Sequence, residues 1–422
     1  MLKTLFYKHH PASESSKVAT LDIGSSKVAC TIAHVSQQSG ITVFGCGQAA
    51  STGSFSGVVS NMDQLASSIS RAVHAAEQSA HETIKEVYVN VSPSLLKSHL
   101  VTVDMSITGH EVAEPDIKAL VQQAIQQVQT PSQAVIHVIP YLYKIDDSRG
   151  IKDPRGMYGE TLFARVHVVT APLSPLRNLI TCVEKAHLDV IGLIATPFAS
   201  GLAVLEQDEM DLGSIVLDLG AQNTSIGIFA NGSFIYADVL KVGGGHITND
   251  LAHGLSTSIG HAERLKTLHG SALSSSRTDR ETIIVPQAGE KSASGGVRMP
   301  KSSLVRVIYP RVEEIFTLIR QKLHEIGEKK FSGYRVILTG GSSQLPGIQE
   351  MAGLILNQPV RIGNPIHMVG TDPLTQSPIF SCCAGQLSYI RLSYSEESAF
   401  KNPSSFFKNI VSSVGLWFKE KR

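Results

Sequence analysis

The sequence predicts an α/β protein built from two similar halves that hold a phosphate between them, and three stretches carry that prediction. Ile215 to Phe229 reads I-V-L-D-L-G-A-Q-N-T-S-I-G-I-F. A buried run, a glycine-led polar turn and a second apolar run make the pattern of a β-hairpin. Val18 to Ile32, V-A-T-L-D-I-G-S-S-K-V-A-C-T-I, repeats it, with Leu21-Asp22-Ile23-Gly24 matching Leu217-Asp218-Leu219-Gly220. Each copy ends its first strand on an acid beside a turn that exposes several backbone N–H groups. That arrangement suits a phosphate together with its accompanying cation. One such turn means little, but two copies, one opening each half of the chain, point to a duplicated fold. A third glycine cluster, Val336 to Ser343 (V-I-L-T-G-G-S-S), follows another buried strand.

Composition bounds the rest. A chain of 422 residues suits two or more domains, and 42% hydrophobic against 17% charged residues supports a substantial core. Lys+Arg number 37 against 36 Asp+Glu, which gives no case for nucleic-acid binding. The five cysteines (Cys30, Cys46, Cys182, Cys382 and Cys383) form no C-x-x-C pair and read as reduced thiols in a cytoplasmic protein. Sixteen histidines include no metal-binding array and read as scattered surface residues. No cleavable leader is expected, because Leu5-Phe6-Tyr7 is too short an apolar run. The longest uncharged stretch, Val190 to Leu205, is broken by Thr196-Pro197 and falls short of the ~20 residues a spanning helix needs. It reads as a buried strand followed by a buried helix from Pro197, and the chain is expected not to cross a membrane.

Taken in order, residues 1–16 read as a polar, mobile lead. The first half (17–84) holds the Asp22 hairpin, a strand at Ile41–Phe44 and a helix from Asn61 with Leu65, Ile69, Ala72, Val73 and Ala76 on one face. Val87–Val91 reads as an alternating strand. At 85–165 the pattern changes to a compact α+β unit. It has a half-exposed strand at Val101–Met105, a helix opened by Glu114-Pro115 with Ile117, Leu120, Val121, Ala124, Ile125 and Val128 on one face, and strands at Ala134–Tyr143 and Leu162–Val169 around a polar loop at 146–160. Residues 166–205 return to the first half. The second half (206–392) opens with the Asp218 hairpin and carries a subdomain at 243–335. That subdomain has helices from Val242 to Leu255 and Ser258 to His269, a short strand near Thr282–Pro286 between Ser/Gly-rich loops, and a long amphipathic helix from Leu304 to Ile326. Strand 335–339, the Gly340 loop and a helix from Gly347 follow. A flexible linker (393–404) precedes a separate amphipathic element (405–422).

The three glycine-bearing turns, in this order, resemble the two phosphate loops and the adenosine loop of the actin-like ATPase superfamily, which consists of duplicated ribonuclease-H-like halves. The likeness narrows to the FtsA family, the bacterial cell-division actin homologues, over essentially the whole chain. It is carried by V-A-T-L-D-I-G-S-S-K, by V-G-G-G-H-I-T-N-D-L, by A-E-R-L-K-x-x-H-G at 262–270, by Val336 to Leu345, by Pro359 to Gly363 and by the apolar-basic end. The unit inserted in the first half sits where FtsA-like proteins carry their own subdomain. The resemblance implies ATP and Mg²⁺ as ligands. Asp22 and Asp218 would lie near the cation, and Gly24, Ser25, Ser26 and Lys27 along the phosphates. Gly220, Gln222 and Asn223 would form the second loop, with Gly243 and Gly244 allowing close backbone approach. Glu263 and Lys266, one helical turn apart, would hold ribose and adenine, and Gly340, Gly341 and Ser342 would close over the adenosine. Two departures matter. The second loop, Gly-Ala-Gln-Asn, holds less glycine than relatives carry, and Thr196 stands where chaperones and sugar kinases of this superfamily place a carboxylate. A threonine is no general base for water, so ATP binding with slow hydrolysis is expected, and no catalytic residue is assigned.

By the same resemblance the chain is a scaffold that polymerises on the inner face of the membrane and tethers the C-terminal tail of FtsZ, alongside other division proteins. Arg298, Lys301, Arg306 and Arg311, beside an apolar helix face, are the candidate groove for that tail. In Ser405 to Arg422, Phe406, Phe407, Ile410, Val411, Val414, Trp417 and Phe418 fall within one helical arc of about 140°. Lys408 and Lys419 lie on the far side, the pattern of a helix lying in an anionic membrane surface. Two other readings of the fold stay open at this point: a pilus-assembly actin homologue, and a sugar or acid kinase.

Overall fold

In the computed structural model of the chain, described for residues 16–36, 38–274, 280–289, 296–327, 331, 333–366, 368–370 and 373–399, the first hairpin comprises β1 (Ser16–Ile23) and β2 (Lys27–Ser36), extended by β3 (Gly40–Ala50). A two-residue pair, β4 (Ser54–Phe55) and β5 (Val58–Val59), precedes α1 (Met62–Ala80). Asn61 caps α1 by accepting from the Gln64 amide at 3.0 Å, and Leu65, Ile69, Ala72, Val73 and Ala76 bury one stripe against β2 and β3. β6 (Glu86–Val91) then pairs in parallel with β1. It lies between β1 and the later strand β11 (Asp189–Ala195), so it is buried along nearly its whole length rather than alternating, as a parallel strand covered on both faces must be. β6 therefore belongs to the first half, and the inserted unit begins after it rather than at residue 85.

The insertion is an antiparallel sheet with one helix on its face. β7 (Lys97–Ser106), α2 (Glu114–Val128), β8 (Gln133–Ile145), β9 (Ser148–Ile151) and β10 (Thr161–Pro172) give the strand order β7-β10-β8-β9. β10 stays paired with β8 through Pro172, across register shifts at Arg165/Val166 and Val169/Thr170, so the unit ends there and not at 165, and β9 forms inside the stretch read as a loop. Val103, Leu120, Ala124, Leu162 and Val166 fill its own small core. Its β8 and β10 also press two histidines into the body of the protein. His137 and His167 are buried, unlike the scattered surface histidines expected.

α3 (Leu173–Lys185) and β11 (Asp189–Ala195) complete the first half, and Pro197 sits in the opening turn of α4 (Thr196–Val204), buried on nearly every side. After α5 (Gln207–Leu212) the second half repeats the first. β12 (Ser214–Leu219), β13 (Thr224–Ala230) and β14 (Ser233–Leu240) form a meander, and β17 (Arg335–Thr339) and β18 (Val360–Ile362) add in parallel. The order β14-β13-β12-β17-β18 matches β3-β2-β1-β6-β11 strand for strand. Between β14 and β17 lie α6 (Gly244–Gly254), α7 (Ile259–His269), the antiparallel pair β15 (Thr282–Val285) and β16 (Val297–Pro300), and α8 (Ser302–Gly327). α8 continues through Pro310 and buries Leu304, Ile308, Val312, Phe316 and Ile319.

After α9 (Ile348–Leu356) the chain leaves the second half. β19 (Met368–Gly370) adds in parallel to β3, and α10 (Ser381–Ala399) runs back between the halves against α4, β1 and β2. The second half therefore does not extend to residue 392, and helix occupies 393–399 where a flexible linker was expected. The remaining linker positions, 400–404, and the element 405–422, with Phe406, Phe407, Ile410, Val411, Val414, Trp417 and Phe418, lie outside the described residues, as does nearly all of the lead at 1–16. Among the described residues no helix is long and apolar enough to cross a membrane.

Candidate functional site

The two hairpins face each other across a cleft of about 700 Å³ between the halves. Their turns are closed by the same bond: the Gly24 amide donates to the Lys27 carbonyl, and the Gly220 amide to the Asn223 carbonyl, each at 3.0 Å. Asp22 pairs across its hairpin with Ala29, and Asp218 with Ser225, so both acids occupy one register position in two copies. Asp22, Gly24, Ser25, Ser26, Lys27, Asp218, Gly220, Gln222, Asn223, Glu263, Lys266, Gly340, Gly341 and Ser342 all line this one cleft. The cleft thus brings together fourteen of the sixteen positions expected there. The other two, Gly243 and Gly244, sit behind its wall. The Gly244 amide donates to the Gly220 carbonyl at 2.9 Å, and a Cβ on Gly244 would lie 2.0 Å from Ser342 Oγ. These glycines bring the α6 backbone against the second loop and Ser342. Gly245 takes their expected place on the cleft wall.

Electrostatics single out the cleft floor. Each acid keeps one side open to the cleft while dense packing behind removes it from bulk water. Burial pushes the Asp218 carboxyl up to about 6, eased by a 2.6 Å hydrogen bond from Ser200 and reinforced by neighbouring Asp22. Burial likewise raises Asp22, opposed by Lys27 and by the neighbouring Cys382 thiol. Lys27 donates to the Ile379 carbonyl at 2.8 Å and lies 4.3 Å from the Phe380 ring centroid. Gly340 has φ +82°, and a Cβ there would sit 2.2 Å from Asp218 Oδ1, so only glycine leaves that oxygen open.

Toward the other end of the cleft, Lys266 Nζ lies 2.8 Å from Glu263 Oε2, 2.8 Å from Thr248 Oγ1 and 3.0 Å from the Gly244 carbonyl. Glu263 also hydrogen-bonds Thr248. The pair is therefore an ion pair and a cleft-facing polar cluster at once. Ser56, from the β4–β5 turn, donates to Asn223 Oδ1 at 2.8 Å and ties the first half to the second loop.

Sequence reasoning missed Asn90, Ser200 and Cys382. Asn90 accepts from the Ile23 amide at 2.7 Å and donates to Thr196 Oγ1 at 3.1 Å, while Thr196 donates to the Val91 carbonyl at 3.0 Å. The available signal was a polar side chain within a continuous apolar run, E-V-Y-V-N-V.

Two paired acids, a lysine and turns of free amides fit the polyphosphate of a nucleotide with one divalent cation. No cluster of three or more His, Cys, Asp or Glu side chains able to hold a metal occurs among the described residues. Magnesium does not need one, since it is commonly held by one or two carboxylates together with phosphates and water.

The candidate partner residues lie elsewhere, around α8. Arg311 grips Asp250 of α6 with Nε–Oδ2 at 2.6 Å and Nη2–Oδ1 at 3.0 Å and also pairs with Glu314. Lys301 pairs with Glu281 at 3.2 Å. Both are engaged within the subdomain, whereas Arg298 and Arg306 are exposed.

Comparison with known proteins follows the same lines. A family model described as "Cell division protein FtsA" matches residues 215–385, and one described as "SHS2 domain inserted in FTSA" matches residues 94–170. The Cell division protein FtsA of Rhizobium meliloti (strain 1021) is 38% identical over 425 residues, spanning 97% of this chain and 96% of the relative. That of Escherichia coli (strain K12) is 30% identical over 415 residues, spanning 97% of each. The chain belongs to the FtsA family of cell-division proteins. The FtsA insertion matched at 94–170 coincides with the α+β unit from β7 to β10. Solved structures place the family in the actin-like ATPase fold. The "PilM-PilN type IV pilus biogenesis complex" matches with a TM-score of 0.66 at 18% identity, covering 90% of this chain and 99% of that one. MreB 5 of Spiroplasma citri bound to AMPPNP matches with a TM-score of 0.54 at 11% identity, covering 92% and 100%.

Proposed function

We propose that this FtsA-family chain binds ATP with Mg²⁺, polymerises on the cytoplasmic face of the inner membrane at the division site, and tethers the C-terminal tail of FtsZ there, with slow ATP hydrolysis at most. The observation that carries the nucleotide reading is the matched pair of acids, Asp22 and Asp218, at equivalent positions of two hairpins and facing Lys27 across one cleft. Actin-like neighbours solved with ADP and with AMPPNP support an adenine nucleotide. When bound, Mg²⁺ neutralises phosphate charge. The chain's own residues orient it through Asp22 and Asp218, offer amides and Ser25, Ser26 and Lys27 to the phosphates, and place Glu263 and Lys266 toward the nucleoside. Thr196 at the head of α4 spends its hydroxyl on Asn90 and Val91, which supports slow turnover.

FtsZ binding is assigned to the face of α8 beside Arg298 and Arg306, and membrane attachment to 405–422. The likeness to the pilus-assembly protein is one of fold at low identity, whereas the 30–38% relatives are division proteins, so the pilus and kinase readings are set aside. Calorimetry of ATP with Mg²⁺ tests the site. Asp218→Ala should weaken binding by on the order of tenfold or more, since a cation would lose a direct or water-bridged carboxylate. Wild-type affinity in that variant would remove the cation from this cleft.

A further inference from the structure

Each cleft acid has a neutral hydroxyl or thiol beside it, and the two groups come from the helices that pack together between the halves. Ser200, fully buried on α4, donates its hydroxyl to Asp218 Oδ2 at 2.6 Å. Asp218 Oδ1 is left beside the bare Gly340 backbone. Cys382, buried in the first turn of α10, lines the cleft together with Asp22, and its thiol is a neutral group beside that carboxylate. Gln386, one turn further along, donates to the Leu21 carbonyl at 2.9 Å and to Cys382 Sγ at 3.8 Å. With Gln386 donating to the sulfur, the thiol hydrogen is the group Cys382 has to offer a neighbouring acceptor.

The two donors ride on one rigid unit. A Cβ on Gly385 would lie 1.6 Å from the Ala199 carbonyl oxygen, so the α10 backbone rests on α4 next to Ser200 and one turn from Cys382. No longer residue than glycine permits that approach. One helix pair thus reaches an acid on each half of the molecule.

We propose that Ser200 and Cys382 are a matched pair of positioning residues, each fixing one cleft carboxylate from the helices between the halves so that both acids face the cation of a bound nucleotide. The inference rests on the ATP–Mg²⁺ reading of the cleft. The physical reason is orientation. A carboxylate with one oxygen tied to a donor presents the other in a fixed direction, and a cation with strict octahedral geometry gains most from ligands already placed. Untied, each acid would have to lose rotamer freedom on binding and would lack a donor stabilising its ionised form.

The test compares ATP affinity in Mg²⁺ with ATP affinity in EDTA for the full chain, together with its melting temperature without nucleotide. Ser200→Ala and Cys382→Ala should each lose on the order of tenfold in the presence of Mg²⁺, with the EDTA affinity and the melting temperature close to wild type. Cys382→Ser and Ser200→Cys, which keep a donor, should retain most of the Mg²⁺-dependent affinity. If the alanine variants fold poorly, Cys382→Val, which fills the space without a donor, is read against Cys382→Ser. Alanine variants with wild-type affinity in Mg²⁺, or with equal losses in Mg²⁺ and EDTA, would overturn the positioning role. Failure of the underlying reading is separate and shows in the wild type itself, as ATP bound no more tightly in Mg²⁺ than in EDTA.

Discussion

Among single residues, the buried histidines carry the clearest pH consequence. His137 accepts from the Ala195 amide at 3.0 Å, packs against the Phe198 and Tyr389 rings, and is held by burial at about 3. Burial lowers His167 to about 4, partly offset by its bond to the Phe234 carbonyl. Both stay neutral in the fold, while the unfolded chain takes up protons as pH drops through ~6.5. The unfolded state therefore binds more protons between that value and about 3 to 4. The stability they support is complete above ~6.5 and falls as pH falls, at up to about 1.4 kcal/mol per pH unit for each histidine. Asp218 has the opposite sign. Its raised pKa makes the nucleotide-free fold less stable as pH rises from ~4 to 6, so the histidine effect is isolated by difference. Urea unfolding at pH 7.5 and pH 5 should show a smaller loss for His137→Gln, which keeps an acceptor for Ala195 but cannot titrate. An equal loss in both proteins would place the linkage at other groups. Sequence pattern did not separate these histidines from surface ones, because A-V-I-H-V-I gives a strand residue no sign of which domain will cover its outer face.

At the level of elements, legibility follows from how each element meets water. The two hairpins and α1 were readable because turn chemistry and a one-sided apolar stripe are local properties. α10 was not, although it holds Cys382. S-C-C-A-G-Q-L-S-Y-I is covered on several sides by the two halves, and a helix buried all round has no stripe to show. β19 was missed because its three residues pair with β3, more than three hundred positions away. α8 was readable in place and length, yet the role of its cations was not. Arg311 lies beside Arg306 in the expected groove but is engaged by Asp250. The two arginines should therefore separate by experiment. Arg306→Glu with Arg298→Glu should weaken binding of an FtsZ tail peptide in fluorescence anisotropy while leaving the melting temperature near wild type. Arg311→Ala should lower stability by roughly 1–3 kcal/mol, because Asp250 is left partly buried without its partner. Unchanged peptide affinity in the Arg298/Arg306 variant would send the tail to another face.

For the whole molecule, the proposed membrane attachment rests on the sequence of Ser405–Arg422. On a helical wheel the seven apolar residues, four of them aromatic (Phe406, Phe407, Trp417 and Phe418), would fall on one arc opposite Lys408 and Lys419. On the same wheel Lys421 would fall within the apolar arc, where its stem could lie along the acyl boundary while the ammonium reaches the headgroups. A helix with so few inserting side chains binds reversibly as one copy, and several copies carried by one polymer bind far more tightly through effective concentration alone. ATP would then govern membrane residence through polymerisation and not through the helix itself. Flotation with anionic liposomes separates the two contributions. Deleting 405–422, or changing Phe407 and Trp417 to Glu, should release the protein from lipid with ATP affinity intact. Asp218→Ala should keep the helix but reduce co-flotation at low protein concentration, where a single anchor is insufficient. Co-flotation of the truncated chain at wild-type levels would sink the anchor, and an Asp218→Ala protein that floats like wild type at every concentration would uncouple the nucleotide from the membrane.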